Sequence, residues 1–180
     1  MTSLLELHEK YDAIKARAKW VVARSYLTEI YPLYFEPKRQ SATKILEIGV
    51  CFGGSVCALR DYFPNAQIVG ADIELYRPFR RSDNPRITLI QADQGNVGDL
   101  KKLGVYGPYD FIIEDGSHEY THQKLAMDTL PAFLKSDGVL FIEDVVPRHK
   151  GHKIEKYAKE FSQEGLEVVF HPGMIAVKRV

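Results

Sequence analysis

The sequence predicts an α/β fold in which a doubly wound, mostly parallel sheet lies between two layers of helices. From Lys44 onward, short apolar or β-branched runs alternate with helical patterns, which is typical of parallel strands joined by right-handed crossovers. Four of these runs end in, or are followed at once by, an acidic residue. Two last β-rich runs flank Pro172 and Gly173, and this pattern predicts a closing antiparallel hairpin.

Length and composition favour one compact domain of 180 residues. We expect residues 1–36 to form an N-terminal helix and an aromatic loop, and residues 44–180 to form the α/β core. Basic and acidic residues are equal in number, 24 each, which favours small-molecule partners over nucleic acid or an anionic membrane. No apolar run approaches the ~20 residues of a membrane helix. Cys51 and Cys57 lack CxxC spacing, so we expect reduced thiols and a cytoplasmic protein.

The opening segment carries apolar residues at alternating spacings of three and four, which place them on one stripe of a helix. These residues are Leu4, Leu7, Tyr11, Ile14, Ala18 and Val21. The stripe packs either on the domain's own sheet, which we favour, or against a second copy of the chain. The aromatic stretch between Tyr31 and Pro37 is predicted to stop the helix and form a loop.

The predicted core elements follow in a regular order. They are the strand KILEIGV, the helix SVCALRDYF, the strands AQIVGAD, RITLIQAD and YDFIIED, a helix over about 120–134, the strand GVLFIED, a helix over about 152–163, and the hairpin strands LEVVFH and MIAVKR. The acidic residues at the strand ends are Asp72, Asp93, Asp115 and Asp144, so the carboxyl edge of the sheet is acidic. A basic stretch at 77–81 follows the second strand; we favour a solvated loop there over contact with an anionic substrate.

The turn after the first strand indicates an adenosine cofactor. It contains Glu47, Gly49, Gly53, Gly54 and Ser55, and its missing side chains let backbone approach a ligand closely.

An acidic residue that ends the next strand, Asp72, is placed to accept hydrogen bonds from two ribose hydroxyls. The turn is not GxGxxG, and Glu47 suits a cationic amino group, so S-adenosylmethionine is favoured over NAD. Asp93 and Gln94 follow the third strand and are expected on the adenine side. Turn or helix-cap roles remain open for Asp72 and Asp93.

Three carboxylates predict a metal site. Because the strands that end at Asp115 and at Glu143 and Asp144 are expected to be neighbours, their acidic tips should converge. Like charges held together require a cation or protons, and an all-oxygen set favours magnesium over manganese or calcium. The alternative is that one carboxylate caps a helix and another faces solvent.

His118 is the candidate general base, since it lies three residues after Asp115 in Asp-Gly-Ser-His. A bound divalent ion lowers the pKa of an acceptor hydroxyl, and a nearby imidazole can take its proton. His122, one turn further on, either orients His118 or faces solvent.

These segments resemble a known family. ILEIGVCFGGS, ITLIQADQGN, FIIEDGSHEYTHQ and GVLFIEDV are similar to the metal-dependent sugar O-methyltransferases of macrolide biosynthesis, the mycinamicin type, and to related cephalosporin-tailoring proteins. The resemblance covers about residues 31–145. It implies a Rossmann-like class I methyltransferase fold, S-adenosylmethionine as cofactor, magnesium at Asp115, Glu143 and Asp144, and His118 as the base.

The resemblance also shapes our expectations of the acceptor and of rival functions. The chain is short beside the macrolide enzymes, so we expect either an exposed acceptor, such as a sugar on a larger glycoside, or a pocket completed by a second subunit. The rivals are a catechol-type O-methyltransferase and a non-catalytic adenosine-binding or tailoring-complex protein.

Overall fold

The computed structural model describes residues 2–17, 21–75, 84–146 and 151–180. Within them, seven strands form one sheet: β1 (Lys44–Ile48), β2 (Gln67–Asp72), β3 (Ile87–Gln91), β4 (Tyr109–Glu114), β5 (Leu134–Ile142), β6 (Leu166–His171) and β7 (Met174–Arg179). The strand order is β3-β2-β1-β4-β5-β7-β6. The pairs from β3 to β5 are parallel, whereas β7 runs antiparallel to both β5 and β6. The predicted parallel sheet and closing hairpin are both confirmed.

The helices of the core alternate with these strands. They are α5 (Gly54–Tyr62), α6 (Val97–Leu103), α7 (Tyr120–Thr129) and α8 (Gly151–Glu160). Short 3-10 turns at Gly104–Tyr106 and Leu130–Phe133 lead into β4 and β5, so the helix predicted over 120–134 ends earlier than expected. Before the core lie α1 (Leu4–Lys10), α2 (Ile14–Arg17), α3 (Val21–Ser25) and α4 (Tyr31–Phe35).

Two hydrophobic clusters cover opposite faces of the sheet. Ile45 and Phe111 pack with α1, α4 and α5 on one face, while their neighbours Leu46 and Ile112 pack with α6, α7 and α8 on the other. This alternation follows from the two-residue period of a strand. Burial on both faces explains why the strands read as nearly continuous apolar runs, and it gives the predicted three layers.

The N-terminal segment differs from the single helix that its apolar spacing predicted. Ser3 and Glu6 form a capping box that starts α1, but α1 ends at Lys10 and Asp12 adopts a positive φ of 56°. Leu4 and Leu7 are buried in the core cluster that contains α5, which agrees with packing on the chain's own domain. Ile14, by contrast, is 55% exposed, and Ala18 lies outside the described residues.

The aromatic stretch after α3 is helical, so the predicted loop is wrong. A π-helical turn at Tyr26–Ile30 continues directly into α4, and a 3-10 turn follows at Glu36–Lys38. Pro32 stands in the first turn of α4, where its missing N–H is tolerated. Phe35 is buried against Phe63, Phe111 and other rings, and this packing decides the conformation.

Two further expectations concern residues around the core. The basic stretch at 77–81 falls outside the part of the chain that the structure describes. Among the described helices, none combines the length and apolar character needed to cross a bilayer.

Candidate functional site

Two cavities of about 270 Å³ each open at the carboxyl edge of the parallel strands. The β2–β3 cavity is lined by Asp72, Asp93, Gln94 and His122 among others. The acid cavity is lined by Glu47, Asp115, His118, Glu143 and Asp144 among others. Gly49, Cys51, Asp115 and Gly116 line both. The cavities therefore meet at the turn after β1 and the end of β4, where the strand order of a doubly wound sheet places ligands.

Glycine is required in the turn between the two cavities. Gly49 has a φ of +91°, and a Cβ placed on it would lie 2.0 Å from the backbone oxygen of Asp115. Gly53 also has a positive φ, 75°, and begins α5. A Cβ on Gly54 would lie 2.7 Å from the backbone oxygen of Tyr11, so this glycine admits the N-terminal segment. The turn thus lies close to the backbone that follows β4 at Gly49 and close to the N-terminal segment at Gly54.

The β2–β3 cavity brings together the residues predicted for the adenosine side. Asp72 accepts a hydrogen bond from the backbone N–H of Cys51 at 2.8 Å, which ties the end of β2 to the turn. Asp93 accepts one from the N–H of Gly95 at 2.7 Å, an Asx turn of the kind that acidic residues commonly make.

His122, which was expected to orient His118 or to face solvent, is partly exposed and has a further contact. Its Nδ1 lies 2.8 Å from the hydroxyl of Ser117, and its ring lines the β2–β3 cavity. Sequence reasoning missed this position because α7 begins only at Tyr120, after the irregular turn that carries Ser117 and His118. The spacing of one helical turn did not apply across that break.

In the acid cavity, three side chains gather at the ends of β4 and β5. Asp115, His118 and Asp144 each offer a ligand atom, and these atoms lie within 4.8 Å of one another. Nε2 of His118 is 3.5 Å from Oδ2 of Asp144. The predicted neighbouring of β4 and β5 is confirmed, since Glu114 pairs with Ile142. Two of the three predicted metal ligands therefore lie in one cluster with the predicted base.

The third predicted ligand, Glu143, points to other partners. Its carboxylate accepts a hydrogen bond from the hydroxyl of Tyr31 and lies 2.7 Å from Nζ of Lys15. The backbone oxygen of Glu143 accepts a bond from the side chain of Gln123 at 2.9 Å. These contacts hold the Glu143 carboxylate beside the cluster of Asp115, His118 and Asp144, but Glu143 is not a member of that cluster.

Lys15 is a further cavity residue that sequence reasoning missed. Its Nζ lies 3.2 Å from Oδ2 of Asp115 and 3.4 Å from Oε1 of Glu47, in addition to Glu143, and its side chain is only 8% exposed. Burial lowers the pKa of Lys15, but Asp115 and Glu143 raise it more, so the pKa lies well above its ordinary value. Lys15 is therefore an ammonium ion. No spacing marks it, because a lysine in an amphipathic segment ordinarily faces solvent.

Burial sets the protonation of the carboxyl groups around Lys15. It raises the pKa of Glu47, against the opposing effects of Lys15 and of a hydrogen bond from Ser55. Burial and the charge of Asp115 likewise raise the pKa of Glu143. A cavity that raises carboxyl pKa values in this way favours any ligand that brings positive charge.

Backbone strain marks the same cavity. Four non-glycine residues of the described chain have positive φ: Asp12, Cys51, His118 and Asp144. All four line the acid cavity. Such conformations cost about 1–3 kcal/mol each and concentrate at functional sites, so their coincidence points to this cavity independently of its charges.

The donor atoms of the acid cavity fit a hard divalent cation. Carboxylate oxygens are the preferred ligands of magnesium, with imidazole available to other metals. Asp115 and Asp144 supply those oxygens within one cluster, and Glu143 follows directly on β5. Glu47 offers a different feature, since its buried Oε2 accepts no hydrogen bond from any described residue. Such an oxygen suits a ligand that donates hydrogen bonds.

With this geometry in place, comparison with known proteins is informative. The chain is 34% identical over 128 residues to 8-demethyl-8-(2-methoxy-alpha-L-rhamnosyl)-tetracenomycin-C 3'-O-methyltransferase of Streptomyces olivaceus. The aligned residues cover 67% of this chain and 32% of the relative. It is 33% identical over 128 residues to mycinamicin VI 2''-O-methyltransferase of Micromonospora griseorubida, covering 67% and 31%. No protein family model matches the chain.

Solved structures agree with the sequence relatives. MycE methyltransferase from the mycinamycin biosynthetic pathway, in complex with Mg, SAH and mycinamycin VI, superimposes with a TM-score of 0.83 at 25% identity, over 99% of this chain and 54% of that one. This chain has the class I methyltransferase fold and resembles the sugar O-methyltransferases. The methyltransferase-like chain spans about a third of the length of the curated relatives it matches. The resemblance predicted from the sequence motifs is confirmed.

Proposed function

We propose that this chain is an S-adenosylmethionine-dependent O-methyltransferase that transfers a methyl group, with the help of magnesium, to a hydroxyl of a sugar or another small natural-product acceptor. One observation carries the proposal. A cavity with ribose-binding character and a cavity with metal-binding character meet at Gly49 and Asp115. The sulfonium of the cofactor would lie at this junction, between the adenosine in one cavity and the acceptor in the other. The MycE complex, which contains Mg and SAH, supports the same pair of ligands.

The residues that would hold the cofactor line one cavity or the other, apart from Gly53, which lies in the turn after β1. They are Glu47, Gly49, Gly53, Gly54, Ser55, Asp72, Asp93 and Gln94. Asp72 would accept hydrogen bonds from the ribose hydroxyls. Glu47, with its unpartnered Oε2, would accept hydrogen bonds from the cationic amino group at the other end.

Asp115, Glu143 and Asp144 would hold the metal. When bound, a hard divalent cation lowers the pKa of an acceptor hydroxyl and orients it. Asp115 and Asp144 already share a cluster. Glu143 would join it by turning away from Lys15.

His118 would serve as general base. Asp115 would position the acceptor through the metal that it helps to hold. The imidazole lies beside Asp144, with Nε2 3.5 Å from Oδ2 of the carboxylate, and lines the acid cavity. His118 would accept the proton of the acceptor hydroxyl, while the acceptor oxygen attacks the methyl group in line with the departing sulfur.

The surroundings of the acid cavity suggest what it admits. Ile14 and Phe52 line its mouth and are 55% and 72% exposed. An apolar rim suits the body of a small hydroxylated molecule such as a glycoside, or a second subunit that completes the pocket.

We further propose one methyltransferase domain over residues 1–180 that does not bind nucleic acid or membranes. A cytoplasmic location is supported by the thiols of Cys51 and Cys57.

The test is methyl transfer by the full chain. S-adenosylmethionine with a labelled methyl group would be supplied with MgCl₂ and a panel of rhamnosides, other glycosides and catechols. We expect labelled sugar ethers and loss of turnover in excess chelator. Turnover on catechols alone would instead favour the catechol-type enzyme, and cofactor binding without turnover on any acceptor would favour a non-catalytic protein.

Cofactor placement is tested separately by calorimetry with S-adenosylhomocysteine. Asp72→Asn should weaken its binding about tenfold or more, because a neutral amide with one oxygen is a poorer acceptor for two hydroxyls. Glu74→Gln is the matched control, since Glu74 is exposed two residues further on. Equal affinity of the wild-type chain and the Asp72 variant would contradict the assignment.

A further inference from the structure

Lys15 occupies the acid cavity as a buried ion. Its Nζ contacts Glu143 at 2.7 Å, Asp115 at 3.2 Å and Glu47 at 3.4 Å. Buried lysines are uncommon unless paired, and here one ammonium serves three carboxylates. It therefore neutralises much of the negative charge that these strand ends bring together.

The fold places Lys15 there through the break after α1. Ala13 donates its N–H to the oxygen of His8 at 2.9 Å, and Asp12 adopts a positive φ between α1 and α2. This segment lies against Gly54, where a Cβ would come within 2.8 Å of Cα of Ala13. Gly54, in the turn after β1, thus leaves room for the N-terminal segment. The α2 helix then places Lys15 in the acid cavity.

Two of the carboxylates that Lys15 contacts, Asp115 and Glu143, are those assigned above to the metal. The third, Glu47, is contacted through Oε1, whereas the cofactor's amino group is assigned to its Oε2. A lysine ammonium and a divalent cation a few ångströms apart repel each other strongly where water is largely excluded. Lys15 and a divalent cation therefore compete for Asp115 and Glu143.

We propose that Lys15 is a resident counter-ion of the acid cavity, which the divalent cation displaces when it binds. The inference rests on the proposed function. The N-terminal segment then takes part in ligand binding. Lys15 pairs with the carboxylates before the cation binds and moves away from them when it does. The segment thereby lowers the apparent affinity for the metal, as any internal competitor does.

The test compares metal affinity in variants of the full chain. Lys15→Met removes the charge and keeps the length of the side chain, and Lys15→Gln keeps a hydrogen-bond donor. Lys10→Met is the matched control, because Lys10 is exposed and pairs with Asp61 at 3.1 Å. We expect both Lys15 variants to bind Mn²⁺ or Mg²⁺ about tenfold or more tightly than wild type, as follows from removing one like charge beside the ion.

The outcomes separate this inference from the function beneath it. Equal or weaker metal binding by the Lys15 variants, with binding intact in wild type, would overturn the inference alone. Absence of metal and S-adenosylhomocysteine binding in every variant and in wild type would overturn both.

A second measurement needs no variant. Acetylation of wild-type lysines by an N-hydroxysuccinimide ester, read by mass spectrometry, should be slow at Lys15 in chelator and several-fold faster with MgCl₂ and S-adenosylhomocysteine, with Lys10 as internal reference. An unchanged ratio of the two lysines would count against displacement.

Discussion

The side-chain amide of Gln94 donates a hydrogen bond to the buried carboxylate of Glu114, at 2.9 Å. The amide oxygen of Gln94 accepts a second bond from the N–H of Ser117 at 3.0 Å. Gln94 thus reaches from the end of β3 to the turn after β4, across the strands that lie between them. Although it lines the β2–β3 cavity, both ends of its amide are used to hold the turn that carries Asp115 and His118.

Replacing Gln94 by Ala should therefore affect the acid cavity more than the cofactor site. We expect a loss of about 1–3 kcal/mol in the free energy of unfolding, because Glu114 loses a buried partner, and a marked fall in kcat. Urea unfolding and methyl transfer measure the two effects. Gln91→Ala is the control, since Gln91 is exposed and donates to the oxygen of Ile73. A Gln94 variant with wild-type stability and reduced cofactor affinity would show that Gln94 acts mainly on the cofactor.

The alternation of strands and helices and the acidic edge could be predicted from the sequence because each rests on a local pattern. Runs such as those ending at Asp72 and Asp115 carry both the apolar period of a buried strand and the polar residue that ends it. Parallel connection then fixes which ends share an edge. The neighbouring of β4 and β5 followed without any knowledge of side-chain contacts.

Lys15 and Glu143 could not be placed in this way. The break at Asp12 depends on the packing of the neighbouring backbone against Gly54. The helix at Tyr31 depends on packing against aromatic rings of β4 and β5. Both are tertiary effects that override the local pattern. Glu143 was correctly placed at the edge, but its rotamer is decided by Tyr31 and Lys15, neither of which was predicted to be near it.

Gly49→Ala tests the close approach between the turn and β4. An alanine there meets the backbone oxygen of Asp115 at 2.0 Å and must also adopt a φ of +91°. Gly165→Ala has the second problem without the first, since its φ is +74° and the nearest atom is 3.8 Å away. Denaturant unfolding should show a cost of about 1–2 kcal/mol for Gly165→Ala and at least about 3 kcal/mol for Gly49→Ala. Similar costs for the two variants would mean that the turn can move away from β4.

His118→Ala distinguishes a base from a metal ligand. As a base, His118 contributes to turnover alone, so kcat should fall by about 10²–10⁴ while affinities for Mg²⁺ and S-adenosylhomocysteine stay within about threefold. His152→Ala, an exposed histidine of α8, is the control. Calorimetry and steady-state kinetics give the two readouts. If metal affinity falls together with kcat, the cluster of Asp115, His118 and Asp144 is the coordination site itself and the base must be sought elsewhere.

His8 predicts a pH dependence of stability that is separate from catalysis. It is buried in α1 with Nδ1 2.9 Å from the oxygen of Leu4, and burial, helped by the charge of Lys15, lowers its pKa from 6.5 to about 3. The unfolded chain therefore binds a proton below pH 6.5 that the folded chain refuses. The stability contributed by His8 is complete above that pH and is lost as the pH falls toward 3, at about 1.4 kcal/mol per pH unit.

His8→Gln should remove this slope while keeping a polar group near Leu4. Urea unfolding between about pH 7 and pH 5 would show the wild-type chain losing stability faster than the variant on acidification, because only wild type carries the histidine that must stay neutral. His152→Gln, whose side chain is exposed, should keep the wild-type slope. Parallel curves for wild type and His8→Gln would mean that His8 takes up its proton in the folded chain at mildly acidic pH, contrary to its burial in α1.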